Sequence, residues 1–195
     1  DLGVSHVSWY QLTIEQNTPF YSKPPTLPAD ERIEALQEQG VNVIEHAGLQ
    51  QYEVSAFAIK GQESRHNLNY WQFGDYLAIG AGAHGKVTTD QGCYRFKRTR
   101  VPSHYLQPEC MRPPELDSIP DEDLLFEIMM NGLRLKNGLP TDWVLERGAL
   151  TYDTLLTRVS ALMDQGLLSL TPQRVKTTPK GYRYLNKVLE GFLPT

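Results

Sequence analysis

One short stretch of the chain concentrates the residue types that could do chemistry. Residues 64–85 read SRHNLNYWQFGDYLAIGAGAHG and place two histidines, His66 and His84, around a Tyr-Trp pair and a run of glycines. An imidazole can bind a metal or move a proton near neutral pH, and aromatic rings such as those of Tyr70 and Trp71 can cover an apolar macrocycle. A structural role at the end of a loop is the alternative interpretation of His66, and the residue types leave both open.

The glycines Gly80, Gly82 and Gly85 match the Gly-x-Gly-x-x-Gly pattern of dinucleotide-binding proteins. That motif requires a helix directly after the glycines, whereas the following KVTTDQGCYRFKR predicts a hairpin with its tip at residues 90–92. We therefore interpret the glycines as allowing close packing, or the approach of a ligand, at a strand end. The hairpin carries a basic cluster, interpreted as a solvated face or alternatively as a binding surface, which comprises Arg95, Lys97, Arg98 and Arg100.

The composition excludes several classes of protein. The 195-residue chain is 40% hydrophobic, has a formal net charge of −4 and an isoelectric point near 5.7. Such acidity is atypical of general nucleic-acid binders, and no apolar run is long enough to span a bilayer. Cys93 and Cys110 are the two cysteines, and their spacing indicates neither a disulfide framework nor a cysteine metal site. We expect a cytoplasmic globular protein without a membrane span.

The first hundred residues predict an α/β unit that would position these side chains. Strands are expected over residues 6–13, in QYEVSAFAI and in DYLAIGAGAH. A helix is expected after Pro28, weakened at Gly40 and ending near Gly48. Strand, long helix, strand, connection and strand is the order of α/β architecture, for which we predict parallel pairing.

Prolines between positions 102 and 120, one of them Pro113, predict a crossing between two domains. We expect an α/β domain over residues 1–101, a linker over 102–119 and a mainly helical domain over 120–195. The helical domain over 120–195 begins with three helices, in DEDLLFEIMMNGLRL, in TDWVLERG with Thr141 as N-cap, and in DTLLTRVSALMDQG. Two short strands, LLSLT and VKTT, and a terminal helix over 179–192 complete a winged-helix order. The first helix should bury Leu124, Leu125, Ile128, Met129 and Leu133.

Several segments together resemble the later part of the oxygen-independent coproporphyrinogen III oxidase family, most closely its HemW-like haem chaperone branch. They are HVSWYQLTIEQNTPFY, QYEVSAFA, SRHNLNYW, GDYLAIGAGAHG and NGLRLKNGL, and they cover nearly the whole chain. The resemblance implies a radical S-adenosylmethionine (SAM) protein with an incomplete (β/α) barrel and a helical C-terminal domain. The family carries a [4Fe-4S] cluster on a CxxxCxxC loop, which Cys93 and Cys110 cannot replace. We therefore expect a C-terminal fragment that performs no radical chemistry alone.

The resemblance also implies roles for individual residues. His66 matches the histidine of the family's haem-binding motif and is the expected iron ligand, with Asn67, Tyr70 and Trp71 completing the motif. Three further residues match positions that approach the adenosine of SAM, namely Thr13, Ala83 and His84.

The sequence thus predicts the C-terminal portion of a haem chaperone-like protein that binds haem for transfer to haem-requiring proteins. One alternative is a coproporphyrinogen III dehydrogenase of porphyrin biosynthesis. Another is a winged-helix module that binds nucleic acid, although Asp153 and Asp164 on the expected recognition helix disfavour phosphate contacts. The basis of this nucleic-acid alternative is a second basic cluster, which comprises Arg174, Lys176, Lys180, Arg183 and Lys187.

The first strand is expected to be unpaired on one side, which further predicts a homodimer.

Overall fold

Short antiparallel strands and helices alternate along the chain, which a computed structural model describes at residues 3–111 and 114–193. The chain divides into two units, one ending at Ser64 and the other beginning at Arg65. The predicted α/β class is confirmed. The predicted parallel pairing is wrong, because every strand pair in the described ranges is antiparallel. The connection between two parallel strands needs a dozen or more residues, and the paired strands nearest in sequence are joined by tight turns.

The first unit holds a three-stranded sheet and two helices. The strand order is β1-β3-β2, so β1 lies at an edge, as predicted, although it ends five residues earlier than the predicted strand. The elements of this unit are β1 His6–Ser8, α1 Pro19–Ser22, α2 Asp30–His46, β2 Gln50–Glu53 and β3 Ala56–Ala58.

The segment QYEVSAFAI forms a hairpin and not the single strand that we predicted. A turn at Val54 and Ser55 separates β2 from β3. The backbone N–H of Ser55 donates to Oε1 of Glu53 at 3.1 Å, so the buried glutamate closes the turn. The apolar pattern correctly indicated an extended backbone, but it did not indicate that the chain reverses direction between β2 and β3.

The predicted long helix is confirmed as α2, and Gly48 follows its end with φ +89°. Gly40 lies inside this helix, where glycine costs about 1 kcal/mol relative to alanine. A Cβ at this position would lie 1.8 Å from an atom of the Trp9 indole. The glycine therefore allows the indole to pack directly on the helix backbone.

The second unit contains two three-stranded sheets, with orders β4-β5-β6 and β7-β9-β8. A 3₁₀ helix, Pro108–Met111, precedes β6. The strands and helices of this unit are α3 Arg65–Trp71, β4 His84–Thr89, β5 Gly92–Lys97, α4 Pro102–Tyr105, β6 Asp117–Ser118, α5 Asp121–Gly132, β7 Leu139–Pro140, α6 Thr141–Arg147, α7 Tyr152–Asp164, β8 Leu168–Leu170, β9 Arg174–Thr177, α8 Pro179–Arg183 and α9 Leu185–Glu190.

The three helices predicted for the C-terminal segment are present as α5, α6 and α7, and the two predicted strands follow them, while the winged-helix assignment stays a prediction. All five residues predicted to face inward from α5 are buried in one hydrophobic core. Thr141 is not an N-cap but the first residue of α6, and its hydroxyl donates to the carbonyl of Thr171 at 2.8 Å. The terminal helix is interrupted at Tyr184, which leaves α8 and α9.

The predicted strand in DYLAIGAGAH is wrong. Tyr76 pairs in a single antiparallel bridge with Lys86, and the next residue of the segment that pairs is its last, His84, where β4 begins. Gly80 and Gly82 have φ values of +105° and +74°, a left-handed region that regular strands do not contain. Pairing therefore stops, and Leu77 and Ile79 are 75% and 82% exposed.

The boundaries predicted at residues 1–101, 102–119 and 120–195 stay a prediction, and Pro113 lies outside the described residues. The proposed linker contains α4, the 3₁₀ helix and β6, which pairs with β5. In the ranges that the structure covers, no helix has the length and apolar character needed to cross a membrane.

Candidate functional site

Helix α3 carries the histidine and the aromatic residues that the sequence singled out. His66 is exposed, and its ring meets the half-buried ring of Tyr70 edge-on, with 4.8 Å between centroids. These residues are four apart and share one face of the helix. The ring of Tyr76 continues the contact, 4.5 Å from the Tyr70 centroid. We call His66, Tyr70 and Tyr76 the aromatic row.

Asn67 and Trp71 lie on the neighbouring face of the same helix, so the structure does not bring the whole motif together. Trp71 packs against the hydrophobic core, and the Arg134 guanidinium covers its ring at 4.3 Å. Its indole Nε1 is buried and has no hydrogen-bond partner among the described residues. Trp71 therefore anchors α3 to the core, while His66 remains at the surface.

A tight turn after α3 brings Tyr76 back to the aromatic row. Phe73 is buried with φ +55°, and its N–H donates to the Tyr70 carbonyl at 2.9 Å. Gly74 follows, where a Cβ would lie 2.2 Å from the Asn69 side chain. Our sequence reasoning missed Tyr76. The Phe-Gly pair after a short helix was the available signal, because a left-handed residue at a helix end reverses the chain.

A buried lysine fixes this turn against the hairpin. Lys86 is 2% exposed, and its Nζ donates to Asp75 Oδ1 at 2.9 Å and lies 4.1 Å from the centroid of the Phe73 ring. Thr88 donates to the same carboxylate from its backbone N–H at 2.9 Å and from its hydroxyl at 2.8 Å. Burial acts to raise the pKa of Asp75, but the hydrogen bonds from Lys86 and Thr88 outweigh it and lower the pKa. The carboxylate is thus ionised at neutral pH.

Tyr76 is held through its backbone and is partly buried. Its N–H donates to the Lys86 carbonyl at 3.0 Å, and the Lys86 N–H donates back at 2.9 Å. Burial raises the pKa of the Tyr76 phenol, and the nearby positive charge of Arg95 opposes this effect. The phenol is therefore neutral at physiological pH, and the ring acts as an apolar contact.

The glycine string has a structural explanation. Strand β4 begins two residues after Gly82 and contains Gly85, and its pairing with β5 confirms the predicted hairpin and its tip between Thr89 and Gly92. A Cβ at Gly85 would lie 2.2 Å from the Phe96 ring. The Gly80 N–H donates to the Tyr105 hydroxyl at 3.0 Å, which ties the loop to α4.

The residues expected near SAM lie in both units. Thr13 is exposed in the first unit, beyond the end of β1. Ala83 is half-buried, its N–H donates to Gly80 at 3.3 Å and its carbonyl accepts from Arg98 at 2.8 Å. His84 is exposed at the start of β4. The SAM role of these three residues stays a prediction.

No group of three potential metal ligands occurs among the described His, Cys, Asp and Glu residues. Cys93 is a buried free thiol 3.7 Å from the Lys86 Nζ. The side chain of Cys110 lies outside the described part of the chain.

The C-terminal basic cluster is partly engaged within the chain. Arg174 Nε donates to the Asn137 carbonyl at 2.9 Å, and Lys180 Nζ donates to the Gln165 carbonyl at 3.2 Å. Lys187 forms a 2.5 Å ion pair within α9. These contacts lower the number of cations available to phosphates, but the absence of nucleic-acid binding remains a prediction.

Part of the chain matches a known family model, and its fold resembles a solved structure. Residues 119–184 match the model of the HemN C-terminal domain family. The fold resembles the solved structure of coproporphyrinogen III oxidase (HemN) from Escherichia coli, described as a radical SAM enzyme. The TM-score is 0.61 and the identity 14%, over 87% of this chain and 43% of that chain.

Two curated relatives are similar to nearly the whole chain. The chain is 41% identical to the heme chaperone HemW of Haemophilus influenzae and 40% identical to that of Escherichia coli, over 99% of its length. It spans 50% and 51% of these two relatives, about half their length. The resemblance inferred from the sequence is therefore confirmed, and the chain is a relative of the HemW proteins.

Proposed function

We propose that this chain is the haem-binding C-terminal portion of a haem chaperone-like radical SAM protein. The observation that carries the proposal is the identity of about 40% to proteins named heme chaperone HemW along 99% of the chain. In this proposal residues 1–101 form the last part of an incomplete barrel, 102–119 a linker and 120–195 a winged-helix-like domain. The protein acts in the cytoplasm and delivers haem to haem-requiring proteins.

The aromatic row supports a surface site for haem. The exposed imidazole of His66 is the iron ligand, since neutral imidazole nitrogen is a common axial ligand of haem. The edge contact with Tyr70 holds the imidazole, and both tyrosine rings offer apolar surface to the macrocycle. An exposed ligand suits a carrier, because haem can leave without unfolding of the site.

SAM and a [4Fe-4S] cluster belong to the full-length protein in this proposal. Thr13, Ala83 and His84 approach the adenosine. The backbone groups of Ala83 are already engaged with Gly80 and Arg98, so its contribution is packing of its small side chain rather than hydrogen bonding. The cysteine loop that would ligate the cluster does not occur in this sequence.

Titration with haemin tests the haem site, with two histidine variants compared. His66→Ala should weaken binding about tenfold or more, equivalent to roughly 1.4 kcal/mol, and should shift the Soret band because the iron loses its ligand. His84→Ala is the matched control, since it removes an exposed histidine of the same unit and should leave both quantities nearly unchanged.

The comparison between the variants guards against adventitious binding. Haemin adheres to exposed apolar surface, and Leu77 and Ile79 provide such surface in this unit. Binding by the wild-type chain alone therefore does not establish a site. Equal affinities and spectra for wild type and His66→Ala would return His66 to a structural role and overturn the proposal.

A further inference from the structure

A row of three paired residues crosses the hairpin sheet beside the aromatic row. Tyr76 pairs with Lys86, and Lys86 pairs in register with Arg95 on β5. Paired residues on neighbouring strands point to the same face of a sheet, with strands about 4.8 Å apart. Tyr76 and Arg95 therefore share one face, about 10 Å apart at their backbones.

Arg95 combines an exposed charge with incomplete hydrogen bonding. Its Nη2 donates to Glu127 Oε2 on α5 at 2.6 Å, and the Arg95 side chain remains 42% exposed. Within the described residues this is the one hydrogen bond that the structure gives to its guanidinium, and its Nε is buried without a partner. A guanidinium presents five donors in a planar fork that suits carboxylates, so Glu127 uses a small part of its capacity.

The charge of Arg95 reaches the aromatic row. It acts to lower the pKa of the Tyr76 phenol against the effect of burial, in agreement with the position of both residues on one face of the sheet. The ring of Tyr76 contacts Tyr70, and that of Tyr70 contacts His66. His66, Tyr70 and Tyr76 are thus in ring contact, and the guanidinium of Arg95 lies beyond the buried Lys86 on the face of the sheet that Tyr76 shares.

This sequence of groups corresponds to the chemistry of haem, a flat apolar macrocycle with a central metal and carboxylate side chains at one edge. We propose that Arg95 binds a haem carboxylate and so orients the macrocycle across Tyr70 and Tyr76 with its iron toward His66. The inference rests on the proposed function. Glu127 holds the guanidinium in place before haem binds, and it competes with the haem carboxylate for the same donors.

The experiment compares haemin with haemin dimethyl ester, in which the carboxylates are esterified and uncharged. Affinities for both compounds are measured by Soret titration of the 195-residue chain, its Arg95→Gln variant and its Glu127→Gln variant. We expect wild type to prefer haemin over the ester by about tenfold, the range of one charge-assisted hydrogen-bonded pair. Arg95→Gln should bind the two compounds equally.

Glu127→Gln separates ligand binding from a structural ion pair. Both substitutions break the Arg95–Glu127 pair, so a purely structural role predicts the same change in both variants. A carboxylate-binding role predicts different outcomes: Arg95→Gln loses the preference for haemin, whereas Glu127→Gln frees the guanidinium and should retain or increase that preference. Arg158→Gln, an exposed arginine on α7, is the charge-matched control and should behave as wild type.

The outcomes distinguish the two proposals. If His66→Ala leaves haemin binding unchanged, the proposed function fails. If His66→Ala weakens binding but Arg95→Gln retains the preference for haemin over its ester, only the role of Arg95 fails. Equal changes in Arg95→Gln and Glu127→Gln also overturn the inference, and thermal unfolding of each variant shows whether it is folded.

Discussion

Lys86 shows how much a single residue can organise in this protein. A buried ammonium group is stable only with close partners, and Lys86 has Asp75, Thr88 and the ring of Phe73 around it. Asp75 in turn receives the backbone and hydroxyl hydrogen bonds of Thr88. The ion pair therefore fixes the turn that delivers Tyr76 to the aromatic row.

Removing the two partners of this ion pair should have unequal effects. Asp75→Asn leaves the Lys86 charge buried and should cost about 1–3 kcal/mol at neutral pH. Lys86→Met should cost less, because methionine fills the buried space and the side chain of Asp75, 42% exposed, remains hydrated. Urea unfolding of both variants measures the difference, and equal losses would contradict this account.

The effect of Asp75→Asn should depend on pH. The pKa of Asp75 is lower in the folded protein than its ordinary value, so its ionisation stabilises the fold above that value. This contribution is lost as the pH falls through the folded-state pKa. The stability difference between wild type and Asp75→Asn should therefore be complete at neutral pH and shrink in acid. A difference independent of pH would show that the charge of Asp75 does not act in this way.

At the scale of elements, the β4–β5 hairpin supplies the groups that surround the residues carried by α3. It supplies Lys86 to the turn and Arg95 to the far end of the surface, and it pairs with Tyr76 through the backbone. Its own packing depends on Gly85, which lies directly opposite Phe96 in register. The absence of a side chain at Gly85 allows the aromatic ring to lie against the backbone of β4.

Gly85→Ala should destabilise the second unit by about 1–3 kcal/mol, the usual cost of overpacking a filled site. The added Cβ would lie 2.2 Å from the Phe96 ring, so the ring must move. Phe96→Leu should relieve this clash, and the double variant should be more stable than the two single effects predict by addition. Additive losses, measured by chemical unfolding, would exclude direct contact as the cause.

At the scale of the whole molecule, the exposed edge of β1 bears on association. The Trp9 N–H donates to the Ser55 carbonyl and the Ser5 carbonyl accepts from the Ile59 N–H. The alternation of an antiparallel strand therefore directs the N–H groups of His6 and Ser8 outward. Unpaired edge groups are templates for another strand. The homodimer predicted from the sequence would form by pairing of these edges.

Ser8→Pro tests this association without removing a hydrogen bond of the sheet, because proline is tolerated at an edge. We expect the wild-type chain to associate as concentration rises and Ser8→Pro to remain monomeric, as measured by sedimentation equilibrium. Ser8→Thr retains the N–H and should behave as wild type. A wild-type chain that is monomeric at all concentrations, or unchanged association of Ser8→Pro, would contradict edge pairing.

The sequence by itself determined the features that depend on neighbouring residues. The amphipathic pattern of α5, the extent of α2 and the hairpin after the glycines were predicted correctly, because side-chain periodicity and turn residues act over a few positions. The motif HNLNYW and the segments around it likewise identified the relatives of the chain, because the order of residues along a segment is enough to show such a resemblance.

Only the tertiary structure decided which residues meet. The direction of strand pairing, the turn between β2 and β3 and the exposure of Leu77 and Ile79 depend on contacts between segments distant in sequence. For the same reason the residues of the motif do not lie together. Trp71 packs against the core, because α3 packs there. Tyr76, outside the motif, lies beside Tyr70, because a tight turn fixed by the buried Lys86 reverses the chain. A linear pattern contains the residue types, but the free energy of packing selects their neighbours.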